Sequence, residues 1–472
     1  MESPTMPFYL FILAVIIGQS VSAASWESFV SLSLKNSPQV QQVRYQYQVT
    51  DLSYLLAIQS LDWDVTLESG TERDRTQTIS QQNFSLLETE TNSLSLRKSF
   101  LTGTDATLVA LMEDVEARSR LNIGTQAIKS NSYLLRLEQN FWRNSFGSGI
   151  RDQVGAAKKE ADIQMLERKE ALETAVLRGG ELFWQAAISE RKYKESEAVL
   201  KRYETLVSSV QRKNRNRYAA PGEFAQVQAQ FFARQQQARL NRINYEQAVS
   251  DLKLFLPDMV ESDLKWNEAD PQFKSIVLND KTDLKQTRSQ QLAEIRKQKA
   301  DLNADSVQNL NRSQFALVGQ VGATGIDTSR TEAEKEWLEG RRPSLYVGVK
   351  WSHTFGSGAR DAQVRAARSL ALAQDLETRT ERQRLITRAE LLAEQIATLE
   401  ENVKSQDNQL KALRQAVQEL SRNYNQGRID INVLIDLINQ AETAEASHVE
   451  ARADLELRFL EWQFLFDRIA VE

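Results

Sequence analysis

The stretch that decides the fold is Phe146-Gly147-Ser148-Gly149-Ile150-Arg151-Asp152, because it is written again as Phe355-Gly356-Ser357-Gly358-Ala359-Arg360-Asp361. Six of the seven positions are identical. The copies run on as Gln153-Val154-Gly155-Ala156-Ala157-Lys158 and, after one inserted residue, Gln363-Val364-Arg365-Ala366-Ala367-Arg368. Alternating apolar sequence precedes each copy and a long helical pattern follows it. Two copies at so long a period are a duplicated half-molecule, not a solenoid. The expected organisation is a first structural repeat over 24–260, a linker over 261–282 and a second repeat over 283–472. The glycines of the motif fall at a strand-to-helix junction, where they permit a sharp backbone turn.

Downstream of the second copy, Arg360 to Gln426 contains neither Gly nor Pro. Within it Leu392, Ile396, Leu399, Val403, Leu410, Leu413, Val417, Leu420 and Tyr424 step by three, four or seven, the seam of a coiled coil. The first repeat has Leu182, Ala186, Tyr193, Leu200, Tyr203, Val207 and Val210 at the same spacings. Each long helix is expected to reverse at a punctuated tip, Tyr218…Gly222 in one repeat and Tyr424…Gly427 in the other, with Gly222 and Gly427 as the turning residues. The return helices are expected over Glu223–Leu256 and Arg428–Phe466. Shorter helices are expected over Trp26–Leu61 and Asp283–Asn311.

Upstream, Val65, Leu67, Ser69 and Thr71 alternate with Asp64, Thr66, Glu68 and Gly70. The same period of two runs through Tyr133–Phe141, Phe315–Val321 and Leu345–Ser352. One apolar face on strands about 9–11 residues long suits a half-buried sheet and also a membrane-spanning barrel. Trp63, Tyr133, Phe141, Trp142, Phe315, Trp351 and Phe355 stand near strand ends, which suits an interfacial girdle, though aromatics are also common in ordinary strands. Charged Arg136, Glu138 and Lys350 alternate with Leu135, Leu137 and Val349, so they are expected on the lumen face of such a barrel. Ser93–Leu101 and Ala106–Val115 add a further strand-like pair around Thr102-Gly103-Thr104, without a counterpart in the second repeat.

Composition closes off other classes. The 472 residues include no Cys and two His, which excludes disulfides, thiolate metal sites and cysteine nucleophiles and leaves little for zinc or histidine acid–base chemistry. Eighteen Gly and seven Pro are few for a multi-domain α/β enzyme and fit long helices. A net charge of −5 argues against a nucleic-acid partner. No glycine-rich phosphate loop, nucleophile elbow or His-Glu-x-x-His is present. Phe8–Ile17 followed by Val21-Ser22-Ala23 reads as a signal peptide over 1–23, although its first ten residues carry no Lys or Arg. No later stretch reaches 18 uninterrupted apolar residues, so a membrane span would have to be made of strands.

Taken together, the duplicated junctions, the paired tips, Val433-Leu434-Ile435-Asp436 after the second tip and Asn36-Ser37-Pro38 near the start resemble the TolC-like outer membrane efflux protein family. The resemblance extends over essentially all of the chain beyond residue 23. It implies a mainly α fold with a β-barrel portion: long antiparallel helical hairpins forming an α-barrel, and transmembrane strands shared in a trimeric barrel, built from two internal repeats. Four strands from each of three protomers would make twelve. The implied function is the outer membrane exit duct of a tripartite efflux or type I secretion system in a Gram-negative bacterium, its helical part in the periplasm. The implied partners are two further copies, a periplasmic adaptor, an inner-membrane transporter and outer membrane lipid, with no cofactor and no enzymatic activity. The chain departs from many members in lacking a lipidated cysteine and from the family pattern in the extra strand pair at 93–115.

The same resemblance implies a periplasmic entrance. One ring aspartate of the family falls on Asp436 and the other on Val433, while Tyr424 matches the gate tyrosine. The gate arginine falls on Ile429, with Arg428 beside it. Independently, Arg212, Lys213, Arg215 and Arg217 crowd the first tip, a solvated charge run or an adaptor-docking surface. The competing readings are a periplasmic coiled-coil adaptor or structural envelope protein, and an envelope enzyme. Two hairpins in a duplicated chain count against an adaptor, and the missing catalytic residues count against an enzyme.

Overall fold

The computed structural model describes residues 26–74, 84–119, 125–216, 220–259, 284, 286–356 and 358–469. The expected leader over 1–23 and linker over 261–282 lie outside the described residues, as do Arg217 and Tyr218. In chain order the elements are α1 (Trp26–Asn36), α2 (Pro38–Gln46), α3 (Leu52–Gln59), β1 (Trp63–Asp74), β2 (Phe84–Ser99), β3 (Thr104–Ser119) and β4 (Thr125–Asn140). Then come α4 (Ser148–Arg215), α5 (Glu223–Phe255), α6 (Arg288–Leu310), β5 (Gln314–Asp327), α7 (Arg330–Leu338), β6 (Pro343–Ser352), α8 (Gly358–Asn425) and α9 (Ile431–Leu465). The described residues form two compact units, each drawing on both expected repeats: one takes those within 26–45, 171–259 and 388–469, the other those within 46–170 and 284–387.

The first unit is helical. α4 and α8 have 68 residues each, and their parts from residue 171 and from residue 388 onward belong to this unit. The expected seam of α8 packs: Leu392, Ile396, Leu410 and Tyr424 are buried, and Leu399, Val403, Val417 and Leu420 join them half-buried. In α4 the buried seam residues are Ala186, Tyr203 and Val210, with Val199 buried beside the expected Leu200. A second cluster joins α1 and α2 to α4 and α5 through Phe29, Val40, Val176, Phe183, Leu252 and Phe255. The single helix expected over Trp26–Leu61 is three helices. Pro38 has no N–H to continue the ladder and disfavours helical geometry at Ser37, so α1 ends there and α2 starts on the proline.

The second unit is built on one antiparallel sheet in the order β1-β2-β3-β4-β5-β6. The four strands expected from their alternation are present, and so is the extra pair, as β2 and β3. That corrects the strand number implied by the family resemblance: six strands, not four, lie in one sheet. β2 pairs with β1 from Leu87 to Lys98, and β3 pairs with β4 from Thr104 to Arg118, so the additional hairpin is ordinary sheet on both sides. α6 packs beside the opening turns of α4 and α8. Lys299 pairs with Glu160 at 2.6 Å and Lys297 with Asp375 at 2.7 Å. The Ser306 hydroxyl donates to the Gly149 carbonyl at 3.0 Å.

The first glycine of the motif takes the same left-handed backbone in both copies but has different surroundings. Gly147 has φ +79° and Gly356 φ +72°, both left-handed. A Cβ on Gly356 would meet nothing within 4 Å, whereas one on Gly147 would sit 1.8 Å from the Leu101 carbonyl oxygen. The Phe100–Gly103 turn of the additional hairpin rests against the first junction. Arg151 holds it there, its guanidinium donating to the Leu101 carbonyl at 3.0 Å.

Candidate functional site

At the end of the helical unit, α4 turns into α5 and α8 turns into α9. Gly222 (φ +86°) and Gly427 (φ +73°) take the left-handed backbone at each reversal, with open space around both. At the second, Arg428 N–H donates to the Asn423 carbonyl at 2.9 Å and Gly427 N–H to the Tyr424 carbonyl at 3.0 Å. These are the two bonds of a Schellman helix end, which needs glycine at this position. Asp430 then caps α9 by accepting from Asn432 N–H at 2.7 Å.

Tyr424 is the centre of this end. It is 3% exposed among Val199, Tyr203, Val210, Val227, Ile431, Leu434, Ile435 and Ile438. Its hydroxyl donates to the Glu223 carboxylate, whose other oxygen accepts from Ala220 N–H at 2.9 Å. One carboxylate thereby ties both reversals together. Burial, with the Glu223 carboxylate beside it, pushes the phenol far above its ordinary pKa, so it stays a donor. Lys213 donates to the Tyr424 carbonyl at 2.7 Å, and its ammonium stands 3.6 Å from the centre of the Tyr424 ring.

The four basic residues of the first tip are thus split. Lys213 is half-buried and committed to Tyr424, Arg212 and Arg215 are exposed, and Arg217 lies outside the described residues. Asp436 is exposed on α9 and shares that exposure with Val433 one turn earlier. Arg428 is exposed and makes no ion pair among the described residues, while Ile429 packs on the core beneath. Glu223 escaped the sequence reading. Its signal was an acid at the first position of a helix directly after Pro-Gly, where the helix end favours negative charge. A second tie was also missed: Arg234 pairs with Glu442 at 2.7 Å and donates to Asn439 at 2.7 Å, and Tyr203 donates to the same Asn439 oxygen at 3.0 Å. Those partners are more than 200 residues apart in sequence, beyond any local pattern.

In the sheet, register puts Arg136, Glu138 and Lys350 on one face, through the pairs Arg136↔Gln320, Glu138↔Val318 and Ala316↔Lys350. Glu138 is the hub: it accepts from Arg136 at 3.0 Å, Lys350 at 3.3 Å and Gln314 at 2.9 Å. The opposite face carries Trp63, Val65 and Leu67 on β1, Leu94 and Leu96 on β2, Leu108 on β3, Leu135 and Leu137 on β4, Leu317 and Val321 on β5, and Leu345, Val347, Val349 and Trp351 on β6. At its far end this face turns polar, where Asp114 pairs with Lys129 at 2.9 Å and with Arg330 of α7 at 2.6 Å. Helix α7 was not foreseen. It is seated so closely that a Cβ on Gly325 would lie 1.9 Å from the Ala333 carbonyl oxygen. No helix among the described residues is long and apolar enough to cross a membrane, and no group of three acids or histidines among them could hold a metal ion.

No family model and no curated relative matches this chain. Solved structures do. CusC, described as undergoing folding and transmembrane channel formation, matches with a TM-score of 0.70 at 11% identity over 93% of this chain and 91% of that one. The outer-membrane channel OprN matches with a TM-score of 0.69 at 14% identity over 93% and 89%. The outer membrane protein VceC of Vibrio cholerae matches with a TM-score of 0.66 at 11% identity over 93% and 95%. The chain has the fold of these TolC-like outer membrane channels along nearly its whole length.

Proposed function

We propose that this chain is one protomer of a trimeric outer membrane exit duct, passing substrates delivered by an inner-membrane transporter and a periplasmic adaptor. The observation that carries this reading is the apolar face of the sheet. Val65 and Leu67 at one edge and Leu345, Val347, Val349 and Trp351 at the other are 59–80% exposed, and Leu94, Leu108, Leu135, Leu137, Leu317 and Val321 between them are 36–48% exposed, together a greasy face that water does not tolerate and lipid does. A sheet with open edges must close in lipid, because unpaired backbone groups there cost several kcal/mol each. One chain does not close it, so the barrel is shared between copies. Glu138, Arg136 and Lys350 then face a water-filled lumen.

The helix ends form the periplasmic entrance in this reading. Asp436, exposed on α9, would stand three times around one axis, where converging carboxylates attract cations and disfavour anions. Tyr424, with Glu223 and Lys213, holds the reversal that presents it. Arg212 and Arg215 are the exposed basic groups at the first tip offered to an adaptor, and Arg217 is added to them from its place in the sequence alone.

Fractionation of a native host tests the proposal. The chain should enter the detergent-resistant outer membrane fraction as a trimer, and pull-down of the trimer after mild cross-linking should bring an adaptor and an inner-membrane transporter. A soluble or inner-membrane location defeats it, and recovery as a periplasmic protein restores the coiled-coil adaptor reading.

A further inference from the structure

The sheet leaves β1 and β6 as edges, and they complement each other. β1 has 12 residues and β6 has 10. Six strands alternating in direction set β6 antiparallel to β1, so a second copy can continue the sheet in the same pattern. The faces agree as well. Trp63, Val65 and Leu67 on β1 and Leu345, Val347, Val349 and Trp351 on β6 occupy the apolar face, and on the other face β1 offers Asp64 and Glu68 where β6 offers Lys350. Continuation with matching faces brings Lys350 to the acids of the neighbouring copy, a favourable cross-strand pairing.

We infer that β6 of each copy pairs with β1 of the next, that three copies close an eighteen-stranded barrel, and that the Phe84–Ser119 hairpin forms a third of its wall. The inference rests on the exit-duct reading and goes beyond it, because the family pattern has twelve strands. The hairpin is wall and not appendage for two reasons. β2 and β3 pair along their length with β1 and β4, and the Phe100–Gly103 turn is seated on the Gly147 junction, where Asn140 N–H also donates to the Gly103 carbonyl at 3.3 Å. Over Ser93–Arg97 β2 alternates as a wall strand should, with Leu94 and Leu96 on the apolar face and Ser93, Ser95 and Arg97 on the other, while Glu88 and Glu90 belong to the polar far end of the apolar face.

The consequence is bore. At a strand spacing of ~4.8 Å and a tilt of ~40°, eighteen strands close at ~36 Å between backbones, against ~24 Å for twelve. The wider ring is in the range that leaves an open aqueous channel in porins. The outer membrane segment would then admit bulkier cargo than a twelve-stranded exit.

The chain has no cysteine, so introduced pairs are the only thiols. The variants are Val65→Cys/Val349→Cys and Leu67→Cys/Val349→Cys across the proposed junction, and Leu108→Cys/Val349→Cys as the alternative junction that would exclude β1 and β2. Oxidised in the outer membrane and denatured without reductant, at least one β1/β6 pair should give a covalent ladder ending at three copies, and the β3/β6 pair none. A β3/β6 ladder, a ladder ending at two copies, or an intact trimer without β1/β6 cross-links overturns the eighteen-stranded barrel and leaves the exit-duct reading standing. Absence of any membrane-embedded trimer defeats that reading instead. A second readout needs no cross-link: a membrane-impermeant maleimide should label Ser95→Cys and spare Leu96→Cys, and equal labelling removes β2 from the wall.

Discussion

Replacing Gly147 and Gly356 by alanine, one at a time, asks whether the additional hairpin braces the first strand-to-helix junction. Both glycines have left-handed backbone, so a Cβ costs ~1–2 kcal/mol at either position. At Gly356 nothing more is added, because no atom lies within 4 Å of the new methyl. At Gly147 the methyl would sit 1.8 Å from the Leu101 oxygen, 2.6 Å from its carbonyl carbon and 2.7 Å from Gly103 N. These are backbone atoms that cannot rotate aside, and relieving such overlap costs about 1–3 kcal/mol. Gly147→Ala should therefore cost ~2–5 kcal/mol against ~1–2 for Gly356→Ala. The assay is the temperature at which purified trimer loses its folded mobility on a gel, followed in parallel by circular dichroism. Gly103→Ala supplies a check from the other side of the contact, since its Cβ would lie 2.4 Å from Gly147 N. If Gly147→Ala and Gly356→Ala lower the midpoint equally, or Gly356→Ala lowers it more, the hairpin does not rest on the junction and the reasoning fails.

Other outcomes follow from the helix ends. Tyr424→Phe deletes a hydrogen bond to a carboxylate, an interaction of about 1.5–3 kcal/mol, and should raise the open fraction in single-channel records; Glu223→Gln should act in the same direction but more weakly. Asp436→Ala should lower cation selectivity in planar bilayers, and unchanged reversal potentials would remove Asp436 from the entrance. Neutralising Arg212 and Arg215 should weaken adaptor cross-linking while trimer yield stays the same, whereas Lys213→Met should disturb gating through Tyr424. Burial pushes the Glu456 carboxyl from 4.5 up to about 7, with Arg452 pulling the other way. A carboxyl raised in the folded state costs nothing below the unfolded pKa near 4.5, and its penalty grows as pH rises to 7, reaching ~3 kcal/mol. Glu456→Gln should accordingly raise the melting temperature at pH 8 and leave it unchanged at pH 4, and an equal gain at both would refute the assignment.

Several features of the chain were settled by sequence alone. The repeated Phe-Gly-Ser-Gly-x-Arg-Asp motif fixed two strand-to-helix junctions, because only glycine adopts the left-handed turn without strain. Seven-residue apolar steps fixed α4 and α8, and period-two alternation placed Arg136, Glu138 and Lys350 on one face, since both patterns follow from local backbone geometry. Other features were decided by tertiary structure. Alternation marked Ser93–Leu101 and Ala106–Val115 as strands but could not say which neighbours they pair with; hydrogen bonding to β1 and β4 made them part of a six-stranded sheet. A count of basic residues at the first tip could not separate Lys213 from Arg212 and Arg215, because what fixes Lys213 is a carbonyl 211 positions away. Glu223 and Tyr424 are 201 positions apart, and each looks ordinary by itself. Periodicity carries information about the face a residue occupies, while the partner waiting on that face is supplied by chain segments that meet only when the hairpins fold.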